Sequence, residues 1–358
     1  MLKILFSESE EFYRDLGLID IKNHQYIFDG MKLYNKDYDS LRNYDLFICA
    51  FYTLPHNTIL TIKFNEINKK TVLVCDGIVD ISNSLNNPMV KKYNLTQFFP
   101  IIQDYFVFPY NKENFLFNEH VSIIHYMPHR IISQKKKLPI PSEKKILITT
   151  ANTAYFNENE YSNLIVLLKE ILSYFNNEKI LYSIRLFDKK ILNDISNLIK
   201  NIKNDIDKPF EDTLLDYSSV ISTPSSIVIT SMYHNRSVGQ LIYRDTPQLI
   251  QSGWLFPNLN VLKNSFFDFS NLNIERMTIQ EKILNGYLKS NDTLNSAISK
   301  IIKDKKTTDN KHIINHINQQ QFNMVNSVFN FNIEYFIRKA YNKLKRNKFI
   351  QWIRLRVK

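Results

Sequence analysis

The chain has 358 residues, 44% of them hydrophobic and 13% aromatic, and a formal net charge of +11. This composition excludes a disordered or fibrous chain, and the length suits two α/β domains of ordinary size better than one core. Its two cysteines, Cys49 and Cys75, lie in apolar runs that read as buried strands, so they suggest neither a metal site nor a disulfide framework and fit a reducing cytoplasm.

In chain order, KILFS (3–7), DLFICAFY (45–52), TVLVCDG (71–77), FVFP (106–109) and VSIIHYMP (121–128) are short apolar runs of strand type separated by polar or helical stretches. They predict a doubly wound sheet over residues 1–132. IISQKKKLPIPSEKK (131–145) breaks the pattern with a lysine run and two prolines, and residues 133–145 read as a linker. A second α/β unit, 146–275, opens with the strand ILIT and the helix YSNLIVLLKEILSYF. The strand ILYSIRLF and a helix over KKILNDISNLIKNIKNDI follow, and SVIS and VGQLIYR complete the set. Alternation on both sides of a linker implies two Rossmann-like domains facing a cleft. Residues 276–358 read as a helical region. The start, MLKILFSESEEF, reads as neither a signal peptide nor a membrane span, and no other segment reaches the roughly 18 apolar residues a span requires.

The basicity is concentrated at the end. Arg338 to Lys358 carries nine basic residues and no acidic one, so the rest of the chain is only two charges above neutral. Phe336, Ile337, Leu344, Phe349, Ile350, Trp352, Ile353 and Leu355 are interleaved with these cations at near-helical spacing. The pattern suits an amphipathic helix lying on an anionic membrane surface. A nucleic-acid tail is the competing reading, and the large apolar residues throughout argue against it. A terminal helix packed on its own domain is the bland alternative.

The most informative stretch is EDTLLDYSSVISTPSSIVITSMYHNRSVG (211–239), with Leu214, Leu215 and Tyr217 on helical spacing at its start. It reads as a strand, a hydroxyl-rich turn at Thr223-Pro224-Ser225-Ser226, and a helix. That order gathers backbone N–H groups, serine side chains and the positive end of a helix dipole around one point, where an anion fits. A plain serine cap explains the same residues without a ligand. In the first unit, Asp76 follows apolar strand residues and precedes Gly77, so its carboxylate projects from the carboxyl end of a strand into the cleft. An Asp-Gly turn without chemistry is the alternative.

On the Thr223–Ser226 turn and the Asp76-Gly77 pair, in this order and placement, the chain resembles nucleotide-sugar glycosyltransferases of the two-Rossmann-domain architecture called GT-B. Within them it looks most like the CMP-sugar-dependent sialyl-, polysialyl- and Kdo-type transferases of bacterial surface polysaccharides. The resemblance implies that Thr223, Ser225 and Ser226 help hold the donor phosphate. It also implies that Asp76 is the catalytic carboxylate, either as base on the incoming hydroxyl or as nucleophile on the anomeric carbon, and it leaves those two roles open.

Beside Asp76, His129 is expected to protonate the leaving phosphate, and Arg130 to hold a donor carboxylate or phosphate near the domain junction. Thr149, Thr150 and Asn152, after the first strand of the second unit, are placed to approach the donor from its other side. Arg185 stands in a strand where related transferases often carry a His-Pro pair. No His-Pro dipeptide occurs in this sequence, a departure from the sialyl- and polysialyltransferases, although Arg185 supplies positive charge there. The helix Ile227–Met232 lacks the glutamate with which many UDP- and GDP-sugar enzymes hold the ribose, which favours a cytidine donor. With no Asp-x-Asp pair of the kind that metal-dependent transferases of the other major architecture use and no His/Cys cluster, no metal is expected.

The expected protein is a metal-independent glycosyltransferase on the cytoplasmic face of the membrane. It adds an acidic ulosonic acid from a CMP donor to a lipid-linked glycan of lipopolysaccharide or capsule, with its tail on anionic lipid and no nucleic-acid partner. The alternatives are a UDP- or GDP-sugar transferase of the same architecture and a catalytically silent scaffold of a polysaccharide assembly complex.

Overall fold

The computed structural model describes residues 1–304 apart from 94, 96–102, 110–120, 135, 153 and 289–292. The basic tail Arg338–Lys358 lies outside the described residues.

The first domain alternates β1 (Leu2–Phe6), α1 (Glu10–Asp15), β2 (His24–Ile27), α2 (Tyr38–Leu41), β3 (Leu46–Cys49), α3 (Pro55–Glu66) and β4 (Lys70–Val74). It continues with α4 (Ile81–Asn86), α5 (Pro88–Lys92), β5 (Tyr105–Phe108) and β6 (Ser122–His125). Its six strands are all parallel, in the order β2-β1-β3-β4-β5-β6. β3 and β5 are buried along their whole length, as expected where helices cover both faces of a parallel sheet. The edge strand β2 was not legible in the sequence, because its residues are exposed or only partly buried and carry no apolar run.

The second domain contains β7 (Ile146–Thr149), α6 (Glu158–Asn177), β8 (Tyr182–Arg185), α7 (Lys189–Ile195), α8 (Phe210–Thr213), β9 (Ser219–Ser222) and α9 (Ser226–Tyr233). β10 (Ser237–Leu241), β11 (Trp254–Phe256), α10 (Leu259–Ser270) and α11 (Ile274–Tyr287) complete it. The parallel order is β11-β10-β9-β7-β8. α6 starts at a capping box, with the Asn157 side chain accepting from Glu160 N–H and the Glu160 carboxylate accepting from Asn157 N–H. Gly239 in β10 lies so close to the Phe256 ring that an added Cβ would fall 2.0 Å from it, which is why β10 and β11 need glycine there.

The helix expected over 189–206 stops early. α7 ends at Ile195, and after one 3₁₀ turn the chain runs beside β8. Ile184 N–H donates to Lys203 O (3.0 Å), Asp205 N–H to Ile184 O (2.7 Å), and the Asn204 amide bridges both backbone groups of Leu186. Satisfying the open edge of β8 outweighs helical periodicity in this stretch.

The segment read as a linker is anchored to the second domain: Arg236 donates to Leu138 O and Pro139 O, and Leu138 N–H donates to His234 Nδ1. The closing helices divide between the domains. α11 packs against α9, whereas α12 (Leu294–Lys303) returns to the first domain. Leu294, Ala297, Ile298 and Ile301, one helical stripe, are buried in the same cluster as Ile4, Leu46 and Val72. Lys70 donates to the carbonyls of Ile301 and Asp304 at the negative end of α12.

Candidate active site

In each sheet the chain order reverses at one point, between β1 and β3 in the first domain and between β7 and β9 in the second. Crevices outside the carboxyl ends of strands at such points are where open α/β sheets take ligands. The hydroxyl-rich turn lies at the second of these. Thr223 is buried, its N–H donates to Thr149 O (3.3 Å), and its Oγ1 accepts from Ala151 N–H (2.8 Å), so the ends of β9 and β7 are tied together. Ser225, in extended conformation, caps α9 with a long bond from Ile227 N–H (3.5 Å), and Ser226 opens the helix half-buried. Both serines therefore stand at the positive end of α9.

Thr150, 1% exposed, contributes a hydroxyl with no hydrogen-bond partner among the described residues. A buried donor left unmade is costly, and a ligand or an ordered water restores it.

Asp76 follows β4. The carbonyl of Cys75 is held by the Tyr126 hydroxyl (2.6 Å), and Cys75 N–H is held by Val107 O (2.8 Å). The Asp76 carboxylate pairs with Arg130 (Nη2 to Oδ2, 2.8 Å), with the two side chains 27% and 43% exposed. Burial, with the neighbouring Asp76 charge, pushes the Cys75 thiol up to about 12, which makes it an inert packing group. A Cβ placed on Gly77 would lie 3.9 Å from the Ser226 Cβ and 3.5 Å from Arg130 Nη2. The two motifs, 150 residues apart in sequence, thus meet across the domain junction.

The other expected residues divide. His129 is exposed, and its Cβ lies 3.4 Å from the Cβ position of Gly17 in the loop after α1. Asn152 is exposed beyond β7, whereas Thr149 is fully buried and donates to Arg185 O (2.9 Å) as part of the core. Arg185 is committed to the chain itself. Its terminal nitrogens donate to Asp205 O and Lys208 O (3.0 Å for the latter), and its guanidinium stacks near Phe187 and Phe210. These bonds pin the segment that runs beside β8.

Sequence reasoning missed a second polar cluster at the junction. Asp80, the N-cap of α4, pairs with Arg244 just beyond β10; Arg244 also donates to Tyr155 O (3.0 Å) and lies 3.5 Å from Glu160. Glu160 accepts from Ser82 and from Asn86 (3.0 Å), and Tyr155 N–H donates to Asn83 (2.5 Å). The signal was available only as a second aspartate four residues after Asp76. Among the described residues, no group of three or more His, Cys, Asp or Glu converges as metal ligands do, and no helix is long and apolar enough to cross a membrane.

No protein-family model matches the sequence, and no curated protein matches it either. The chain is similar to glycosyltransferases of known structure. It aligns with TarM at 14% identity and a TM-score of 0.47, over 77% of this chain and 58% of TarM, so it spans less than two thirds of that protein. CalG4, the calicheamicin glycosyltransferase, aligns at 10% identity and a TM-score of 0.45, over 84% of this chain and 98% of its own. The lipopolysaccharide outer core galactosyltransferase WaaB aligns at 10% identity and a TM-score of 0.44, over 84% and 100%.

Proposed function

We propose that this chain is a GT-B glycosyltransferase that moves a sugar from a nucleotide donor to the hydroxyl of a glycan. The observation that carries the reading is the close approach of Gly77 to Ser226, which brings the loop that bears Asp76 in one domain beside the helix end that bears the serines in the other. In this reading the donor phosphate sits on the α9 N-terminus and hydrogen-bonds Ser225, Ser226 and the unpartnered Thr150. Asp76 then lies beside the anomeric carbon, where a carboxylate is needed to take the acceptor's proton. Arg130 balances its charge and offers a cation to an acidic sugar.

The finer reading is a CMP-linked ulosonic acid as donor and a lipid-linked surface glycan as acceptor. Support for a cytidine monophosphate comes from α9, which presents Ile227 to Met232 after the serines and no acid for a ribose. The net charge of the tail, Arg338 to Lys358, supports a place at the cytoplasmic face of an anionic membrane, where an acidic acceptor is also attracted. A UDP- or GDP-sugar donor is the second reading.

The test is thermal stabilisation by CMP, CDP, UMP, UDP and GDP on wild type and Ser226→Ala. A nucleotide at about 100 times its Kd adds roughly 2.7 kcal/mol, a shift of several degrees. A shift with CMP alone, reduced in the variant, supports the monophosphate donor, and a shift with a diphosphate alone moves the reading to the second donor class. No shift with any nucleotide defeats the transferase reading.

A further inference from the structure

Every bond of the Arg244 cluster that joins the two domains attaches to a single short stretch, Asp80 to Asn86. Asp80 uses one carboxylate oxygen to start α4 (Asn83 N–H to Oδ1, 3.0 Å) and the other to bind Arg244. Two residues on, Ser82 reaches Glu160; Asn83 takes the Tyr155 N–H, and Asn86 reaches the other oxygen of Glu160. The Arg244 and Glu160 side chains are 2% and 4% exposed, and Arg244 lies near the rings of Tyr243 and Phe156. Groups this desolvated keep their partners only while the two domain faces are together, because a guanidinium or carboxylate stripped of water needs its partner in place.

The position of this cluster along the chain matters most. Asp76 is fixed on one side by β4 through the bonds of Cys75, and four residues later the chain is fixed again by Arg244. The segment between them spans at most about 14 Å when fully extended. Val79 within it is buried, so the loop has little freedom once both ends are held. Gly77, the point of close approach to Ser226, lies inside this span.

We propose that Arg244 is a positioning residue: by holding Asp80 it sets the Asp76-Gly77 loop of the first domain against the Ser226 turn of the second. The proposal rests on the reading of Asp76 as the reacting carboxylate. Among the described residues Arg244 forms no hydrogen bond or ion pair with Asp76 or the serine turn, so it acts through Asp80. Donor affinity belongs to the α9 end and is left intact when the clamp is cut, whereas the placement of Asp76 is lost.

The experiment uses the full chain and the variants Arg244→Gln, Arg244→Lys and Asp80→Asn. Hydrogen exchange is followed at the amides of Asn83 and Tyr155, nucleotide Kd by titration, and kcat by transfer to a glycan acceptor. Arg244→Gln is expected to speed exchange at both amides by at least about tenfold, since the local opening free energy falls. It is expected to lower kcat by about 100-fold, the scale of an ångström-sized misplacement, while Kd for the nucleotide changes less than about threefold. Arg244→Lys recovers part of kcat. Combining Arg244→Gln with Asp80→Asn adds little to either alone, as for two members of one contact.

Unchanged exchange at both amides overturns the clamp, as does a nucleotide Kd that rises as much as kcat falls. If Arg244→Gln fails to fold, Asp80→Asn carries the same three measurements. The exchange readout needs no donor: a chain that binds no nucleotide yet loses protection in the variants keeps the clamp and defeats the transferase reading, so the two failures are distinct.

Discussion

The carboxyl edges of the two sheets reverse chain order in the same way and have been filled in opposite ways. At the first, between β1 and β3, the chain closes the crevice itself. Glu8 is buried there and accepts from the Tyr13 hydroxyl (2.5 Å), Ala50 N–H (3.1 Å) and Asn57 (2.9 Å), and Asn57 in turn binds Ser7. Burial pushes the Glu8 carboxyl above its ordinary range even against these bonds. At the second, between β7 and β9, stand a cap of 3.5 Å, a helix end and a buried hydroxyl with no partner among the described residues. The same topological position is closed by buried hydrogen bonds in one domain and left with an unmade one in the other.

That contrast can be broken most sharply at the residue that faces the open edge. Asp76→Asn is expected to lower sugar transfer by about 10²- to 10⁴-fold, with the urea midpoint almost unmoved, because a partly exposed carboxylate is removed from chemistry and little is removed from packing. Equal loss of stability and activity would make Asp76 structural. Glu8→Ala should do the reverse. It strands one N–H of the Asn57 amide and the Ala50 N–H in a dry site and is expected to cost about 3 kcal/mol in urea unfolding, with nucleotide binding kept in the fraction that folds.

A finer comparison lies within the second edge. Thr223→Val removes the acceptor of Ala151 N–H and is expected to cost about 1–2 kcal/mol. Thr150→Val, of nearly the same shape, removes a hydroxyl with no hydrogen-bond partner among the described residues. Its unfolding free energy should stay within about 0.5 kcal/mol while nucleotide Kd rises several-fold. A stability loss equal to that of Thr223→Val would place Thr150 with the structural residues.

The smallest effect belongs to the linker anchor behind this edge. His234 is buried, its Nδ1 accepts from Leu138 N–H, and its Nε2 lies 3.2 Å from Glu211, so the neutral ring carries its proton on Nε2. Burial lowers its pKa, and the folded protein therefore binds this proton less readily than the unfolded chain. Its contribution to stability is complete above about pH 6.5 and declines as pH falls from there through the lower folded value. Urea midpoints at pH 7.5 and 5.5, compared with those of His234→Gln, isolate it.

Much of this was legible because buried parallel strands write themselves as apolar runs. Among the described residues, nine of the eleven strands coincide with such runs, and the two missed, β2 and β11, are edge strands whose residues are partly exposed or too few to form one. The placement of Asp76, Ser225 and Ser226 was legible for a related reason: residues just after a buried strand are set at the carboxyl edge by the strand itself. Arg185 was legible as a cation in a strand, yet its commitment to the carbonyls of Asp205 and Lys208 was not. The chain from 199 to 206 has helical periodicity, and it follows β8 instead because an open sheet edge is available beside it.

By itself, then, the sequence determined where each domain keeps its strands, where the chain turns at their carboxyl ends, and which hydroxyls and carboxylates stand in those turns, since these follow from local periodicity and strand burial. Only the tertiary structure decided which turns meet. The approach of Gly77 to Ser226 and the grip of Arg244 on Asp80 join residues about 150 and 164 positions apart. Such contacts are set by how two folded surfaces pack, and no pattern of a few residues in one segment encodes the partner it will find in another.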